Sequence, residues 1–212
     1  MTMFKIIFAL MVTMAGVYAV ESSALKHGCT LQQEGPLKVT WGAYKTAAKA
    51  KVSGTFDKVA FTPTAASGAN FHEIFVGSSV VIDTASVNTN HAERDATLVK
   101  YFFTQMSGNT ITAKIVSMTS NKHEKGKAKT GTFMTEVTMN GMHQTVPMAF
   151  HYEKGVLQAE GVIDLFDFSA NKALSAINKA CYDLHEGKTW NDVVIGFSTN
   201  IVATLCASNT KQ

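Results

Sequence analysis

The chain has 212 residues, is 46% hydrophobic and 17% charged, and carries a formal net charge of +3. That charge is too small to argue for nucleic acid or an anionic membrane surface as partner. The length suits one domain with a sizeable core.

In chain order, Lys5 makes the start basic, residues 6–17 form an uncharged run of twelve, and Val17-Tyr18-Ala19 offers a small-residue cleavage site. Twelve helical residues span only ~18 Å of a roughly 30 Å hydrocarbon core. The pattern predicts a cleaved signal peptide over 1–19, followed by one exported domain over 20–212. A lipid anchor on Cys29 is disfavoured, because Leu25-Lys26-His27-Gly28 puts charge where small or apolar residues are needed. No second apolar span follows, so stable membrane insertion is not expected. Three cysteines, Cys29, Cys181 and Cys206, allow three single pairings in an oxidising compartment, or three buried thiols.

From residue 37 to 168 the sequence is rich in Val, Ile, Thr and Phe and punctuated by Gly and Asn. Period-two alternation predicts strands. One such strand puts Ile74, Val76, Val80 and Ile82 on a face; another puts Phe133, Val137 and Met139 there. Val146, Met148, Phe150 and Tyr152 repeat the pattern, as do Val193, Ile195, Phe197 and Ile201. Ser107-Gly108-Asn109, Asn140-Gly141 and Lys154-Gly155 read as hairpin turns between strands, and the basic stretch 122–129 as a solvated hairpin connection. Successive hairpins imply an antiparallel meander. Closing it into a barrel removes its edges, although a two-sheet sandwich reads similarly.

Two segments break the pattern. Residues 90–98 read as a short helical turn. Residues 169–185 read as a helix, with Ser169 as N-cap, Gly187 as stop, and Ala173, Leu174, Ile177, Ala180, Cys181 and Leu184 at helical spacing. That stripe should pack on the barrel and cover one mouth. No internal repeat or linker is visible.

Catalytic and metal signatures are missing. The seven histidines are scattered, no Cys-x-x-Cys exists, and no Gly-x-Ser-x-Gly elbow is present. Gly187-Lys188-Thr189 lacks the first glycine of a phosphate loop, because position 182 is Tyr182. The sequence therefore calls for no catalytic residue, no metal and no cofactor.

Several motifs stand in an order that resembles the YceI-like family of exported bacterial proteins. Lys51-Val52-Ser53-Gly54-Thr55-Phe56 is similar to its early strand, and Val80-Val81-Ile82-Asp83-Thr84-Ala85-Ser86-Val87-Asn88-Thr89 to its "I-D-x-x-S-I-x-T" segment. Arg94-Asp95-Ala96-Thr97-Leu98, then Tyr101-Phe102-Phe103, is similar to its "R-D-x-x-L" helix and following strand. Residues 139–147 stand where the family has a hairpin, and Gly161-Val162-Ile163-Asp164-Leu165-Phe166-Asp167-Phe168 is similar to its "G-x-I-x-R-x-D-F". The chain departs from the pattern at Thr97, where the family has histidine, at Leu165, where it has arginine, and around Trp41.

The resemblance implies an all-β fold: an extended antiparallel, lipocalin-like barrel of about eight strands, with one short helix and one longer amphipathic C-terminal helix. It also implies a periplasmic binder of a polyisoprenoid or related lipid. The 13 Phe and 10 Met suit a tunnel that accepts a flexible chain, and equally suit an ordinary packed core. The expected ligand-binding residues are Trp41, Phe56, Val76, Val80, Ile82, Phe102, Phe133, Val137, Met148, Phe150, Ile163 and Phe197, with Arg94 as a head-group contact. Arg94 has a second reading, as a structural pin for its helix beside Asp95. A long apolar small molecule is the expected partner, and a second copy of the chain is one way to cover an apolar mouth. The rival functions are an enzyme on a similar substrate and a packed barrel serving as an interaction surface.

Overall fold

The computed structural model describes residues 30–204. The predicted signal peptide, Cys29 and Cys206 lie outside those residues.

The strands are β1 (Thr30–Lys45), β2 (Ala50–Phe56), β3 (Val59–Thr62), β4 (Ser67–Gly68), β5 (Ser79–Asp83), β6 (Val87–Asn88), β7 (Thr110–Ser120), β8 (Lys129–Met139), β9 (Met142–Glu153), β10 (Val156–Asp164) and β11 (Asp192–Thr204). The helices are α1 (Phe71–Phe75), α2 (Ala92–Tyr101) and α3 (Asn171–Ala180). All strands belong to one antiparallel sheet in the order β3-β5-β7-β8-β9-β10-β11-β1-β2-β6, with β4 on β1. The sheet curls because β2 runs into β3 through Asp57 and Lys58, while β5 runs into β6 through a 3-10 turn at Thr84–Ser86. Counted as two bent strands, these segments give a ring of eight. The seam is thin: β2 and β6 share only Thr55↔Asn88 and Phe56↔Val87. Asp57 N–H to the Ser86 carbonyl and Asp83 N–H to the Lys58 carbonyl tie the bend.

The meander follows the local chemistry. In β8 inward residues Gly131, Phe133, Thr135, Val137 and Met139 are buried in strict alternation, because burial on one face fixes both register and facing. Asn140 (φ 53) and Gly141 (φ 75) form the β8–β9 turn, with two successive residues in the left-handed region as a tight primed turn requires. Lys154 and Gly155 do the same between β9 and β10. Residues 121–128 connect β7 to β8, as the basic stretch predicted.

Four expectations are corrected. The expected strand over 74–82 starts inside a helix: Ile74 and Phe75 end α1, residues 76–78 turn, and only 79–82 are strand. Asn70 accepts from Glu73 N–H, and the Glu73 carboxylate accepts from Ala69 N–H. This capping starts α1, Gly77 (φ 97) ends it, and the strand begins only at Ser79. Burial overrides the period: Ile74 and Phe75 are fully buried. Ser107-Gly108-Asn109 leads from a 3-10 turn into β7 rather than joining two strands, and Tyr101-Phe102-Phe103 ends α2 instead of opening a strand. Finally, Ser169 caps nothing. It is left-handed (φ 52) inside the tight turn before α3, whose cap position, Ala170, makes no side-chain bond. Gly187 (φ 73) ends the 3-10 turn Asp183–His185 that follows α3.

Candidate functional site

One end of the barrel is packed shut. Phe71, Ile74 and Phe75 of α1 enter it, and the two Phe rings meet those of Phe133, Phe150, Tyr152 and Phe197 with centroids 5.0–6.4 Å apart. The other end is covered by α2, α3 and the segment 183–190, which present Leu98, Leu174, Ile177 and Trp190 inward. Between plug and cover lies a cavity of about 470 Å³, within the range of small-molecule sites. Its wall is overwhelmingly apolar and draws alternate residues from the strands: Val39, Trp41 and Ala43 of β1, Val80 and Ile82 of β5, Ile111, Ala113 and Ile115 of β7, Val193, Ile195 and Phe197 of β11. Leu184 lines the cavity yet is 72% exposed, so the cavity meets the surface there.

Of the thirteen expected residues, the structure brings together Trp41, Phe56, Val80, Ile82, Arg94, Phe102, Val137, Met148, Ile163 and Phe197 on the cavity wall. Three lie elsewhere. Phe133 and Phe150 stack on each other at 4.7 Å in the plugged end, where α1 fills the space a ligand would need. Val76 is the C-cap of α1 rather than a strand residue. The sequence reading missed Phe61, Leu174, Ile177, Cys181, Leu184, His185 and Trp190 as wall residues. The apolar stripe of α3 carried the available signal, and only the docking of that helix turns it inward.

Arg94 reaches the wall but is held. Its Nε donates to Thr89 Oγ1 at 2.9 Å and its Nη2 to the Thr89 carbonyl at 3.2 Å. Asp95 Oδ1 accepts from the same hydroxyl at 2.6 Å and from Thr89 N–H at 2.9 Å. Both side chains thus pin α2 to the end of β6, which is the structural reading of the pair. Thr97 lines the cavity with its hydroxyl donating to the Glu93 carbonyl at 2.8 Å. Leu165 adds an apolar group there and is 4% exposed.

Among the described residues, two buried polar atoms of the cavity wall have no partner: Trp41 Nε1 and Thr135 Oγ1. Near the opening, burial pushes the Cys181 thiol pKa up, while the Lys45 charge works against that shift. Burial and then Lys45 push the His185 pKa down. Hydrogen bonds from Asn191 and from Phe166 N–H hold the Asp164 carboxyl below its usual range, outside the cavity wall. Among the described residues no cluster of His, Cys, Asp and Glu is placed to hold a metal, and no helix is long and apolar enough to cross a membrane.

Solved structures share this fold. A polyisoprenoid-binding domain from Saccharophagus degradans, implicated in plant cell wall breakdown, superposes with a TM-score of 0.53 at 13% identity, over 84% of this chain and 99% of that one. A mutant YceI protein from Campylobacter jejuni gives 0.50 at 18% identity, over 74% and 86%. No curated protein matches the chain significantly. The model of the YceI-like domain matches residues 33–201, which runs from β1 to β11 and takes in plug, cavity and cover alike; the chain belongs to the YceI-like family.

Proposed function

We propose that this protein is a carrier that holds one long apolar chain, a polyisoprenoid or a comparable quinone-type or acyl lipid, in its barrel and performs no reaction on it. The observation that carries the reading is the apolar cavity of about 470 Å³ between the α1 plug and the α2–α3 cover. Each methylene taken from water into such a wall gains ~0.8 kcal/mol, so about ten carbons offset much of an association cost of roughly 4–15 kcal/mol. The polyisoprenoid binding printed for the Saccharophagus domain supports the cargo class. The apolar run at 6–17, with its cleavage site, supports work in the periplasm after export.

Native mass spectrometry of the purified protein, with solvent extraction of whatever accompanies it, tests the reading. A stoichiometric long-chain lipid is the expected result. A bare protein that also refuses prenyl chains on titration refutes it.

A further inference from the structure

Where α3 gives way to the segment 183–190, the cavity wall carries a hydrogen-bond chain whose direction is fixed by chemistry. The Gly187 carbonyl can only accept, so Asn178 turns its amide nitrogen to it at 3.3 Å. That leaves Asn178 Oδ1 for Thr189, whose hydroxyl donates to it at 2.8 Å. With its proton committed, Thr189 Oγ1 accepts from His185 Nδ1, 2.7 Å away. Nδ1 therefore carries a hydrogen, and in the neutral ring Nε2 is left as an acceptor. Burial and the Lys45 charge both favour that neutral ring. No protein group donates to Nε2 among the described residues. His185 is part-buried, so its acceptor stands at the opening of the cavity rather than deep in its wall.

His185, Thr189 and Lys45 all line the cavity. The end of β1 brings Lys45 there, pairing it with Thr189 as an isolated bridge, with Trp190 N–H donating to the Tyr44 carbonyl. The other cationic wall residue, Arg94, is engaged by Thr89. One corner thus offers a lone pair on a neutral ring and an ammonium, beside the exposed Leu184.

Resting on the carrier reading, we infer that the His185–Lys45 corner binds the polar end of the carried chain and selects a hydroxyl, that of a long-chain alcohol or phenol. A hydroxyl satisfies both groups: its proton goes to His185 Nε2 and its oxygen accepts from Lys45. A methyl ether has no proton to give, and a phosphate dianion has none for Nε2 either. His185 is the contact, and Thr189 is a positioning residue that fixes the tautomer.

The test is titration of the whole protein with a C20 prenyl alcohol, its methyl ether and its monophosphate. The wild type should bind the alcohol about tenfold more tightly than the ether, the scale of one buried hydrogen bond. H185F should bring that ratio close to one. T189V should lower it, and T189S should restore it, which a merely structural role for Thr189 would not do. Equal affinity of the wild type for alcohol and ether overturns the head-group assignment while leaving the carrier reading intact. Tighter binding of the monophosphate than of the alcohol also overturns it. Failure of all three probes to bind refutes the carrier reading itself.

Discussion

Thr135 and Trp41 put polar atoms where the barrel has no partner for them, and a buried hydroxyl without a bond costs about 1–3 kcal/mol. Thr135→Val keeps the shape and removes the orphan, so it should stabilise the protein by about 1 kcal/mol in urea denaturation. A loss of stability would mean that the hydroxyl is bonded in solution. Gly131 is the opposite case: a methyl group there would meet the Thr119 carbonyl and the Phe150 ring. Gly131→Ala should cost about 1–3 kcal/mol through overpacking, read as a lower denaturation midpoint at unchanged slope. His185 makes stability depend on pH. Its folded pKa lies below the ordinary value, so the unfolded chain binds the proton more readily. Its contribution is present above the unfolded value of about 6.5 and is lost as pH falls through the folded one. Comparing wild type with His185→Gln at pH 7.5 and 5.5 should show the larger acid loss in the wild type.

Among the elements, α1 is short for a helix, with five residues, yet it closes one end of the barrel with three buried side chains. Phe75 is fully buried and faces Phe133 at 5.7 Å and Phe197 at 6.4 Å. Phe75→Ala should destabilise by about 3–5 kcal/mol and open the cavity toward the base, so that longer chains gain affinity. A near-zero change in the urea midpoint would show that the plug does not pack in solution. Residues 71–75 also mark the limit of pattern reading. The alternation of Ile74, Val76, Val80 and Ile82 is genuine, but Asn70 and Glu73 cap the first turn and the barrel end needs a stopper. Conversely, β8, β9 and β10 follow their alternation because each puts one face on the core and the other in water.

For the whole molecule, the consequence of the bent strands is an uneven ring. β8–β9 is a continuous ladder over the full length of β8, while β2–β6 closes with two residue pairs. Local opening should concentrate at that seam, so amides of residues 55–58 and 83–88 should exchange faster than those at the centre of β8. Bound lipid should raise the unfolding free energy with its concentration, by about 2.7 kcal/mol at a hundredfold excess over Kd. Because the cavity touches β1, β5, β7, β11, α2 and α3 together, one ligand bridges both sides of the seam and should slow exchange there as well.

The sequence alone determined the antiparallel meander, the hairpins at Asn140-Gly141 and Lys154-Gly155, the cover helix with its apolar stripe, and the family. These follow from short-range rules: side-chain period, left-handed turn residues and helical spacing act within a few residues of themselves. Tertiary structure alone decided which apolar residues face a cavity and which fill a core. Val137 and Phe133 lie on the same face of β8, two turns of the alternation apart, yet one lines the cavity and the other packs against α1. Nothing in β8 distinguishes them, because the difference comes from a helix more than fifty residues earlier in the chain. The same holds for His185: its tautomer is set by Asn178, Thr189 and Gly187, and its place in the cavity by the end of β1, a meeting that only the folded chain brings about.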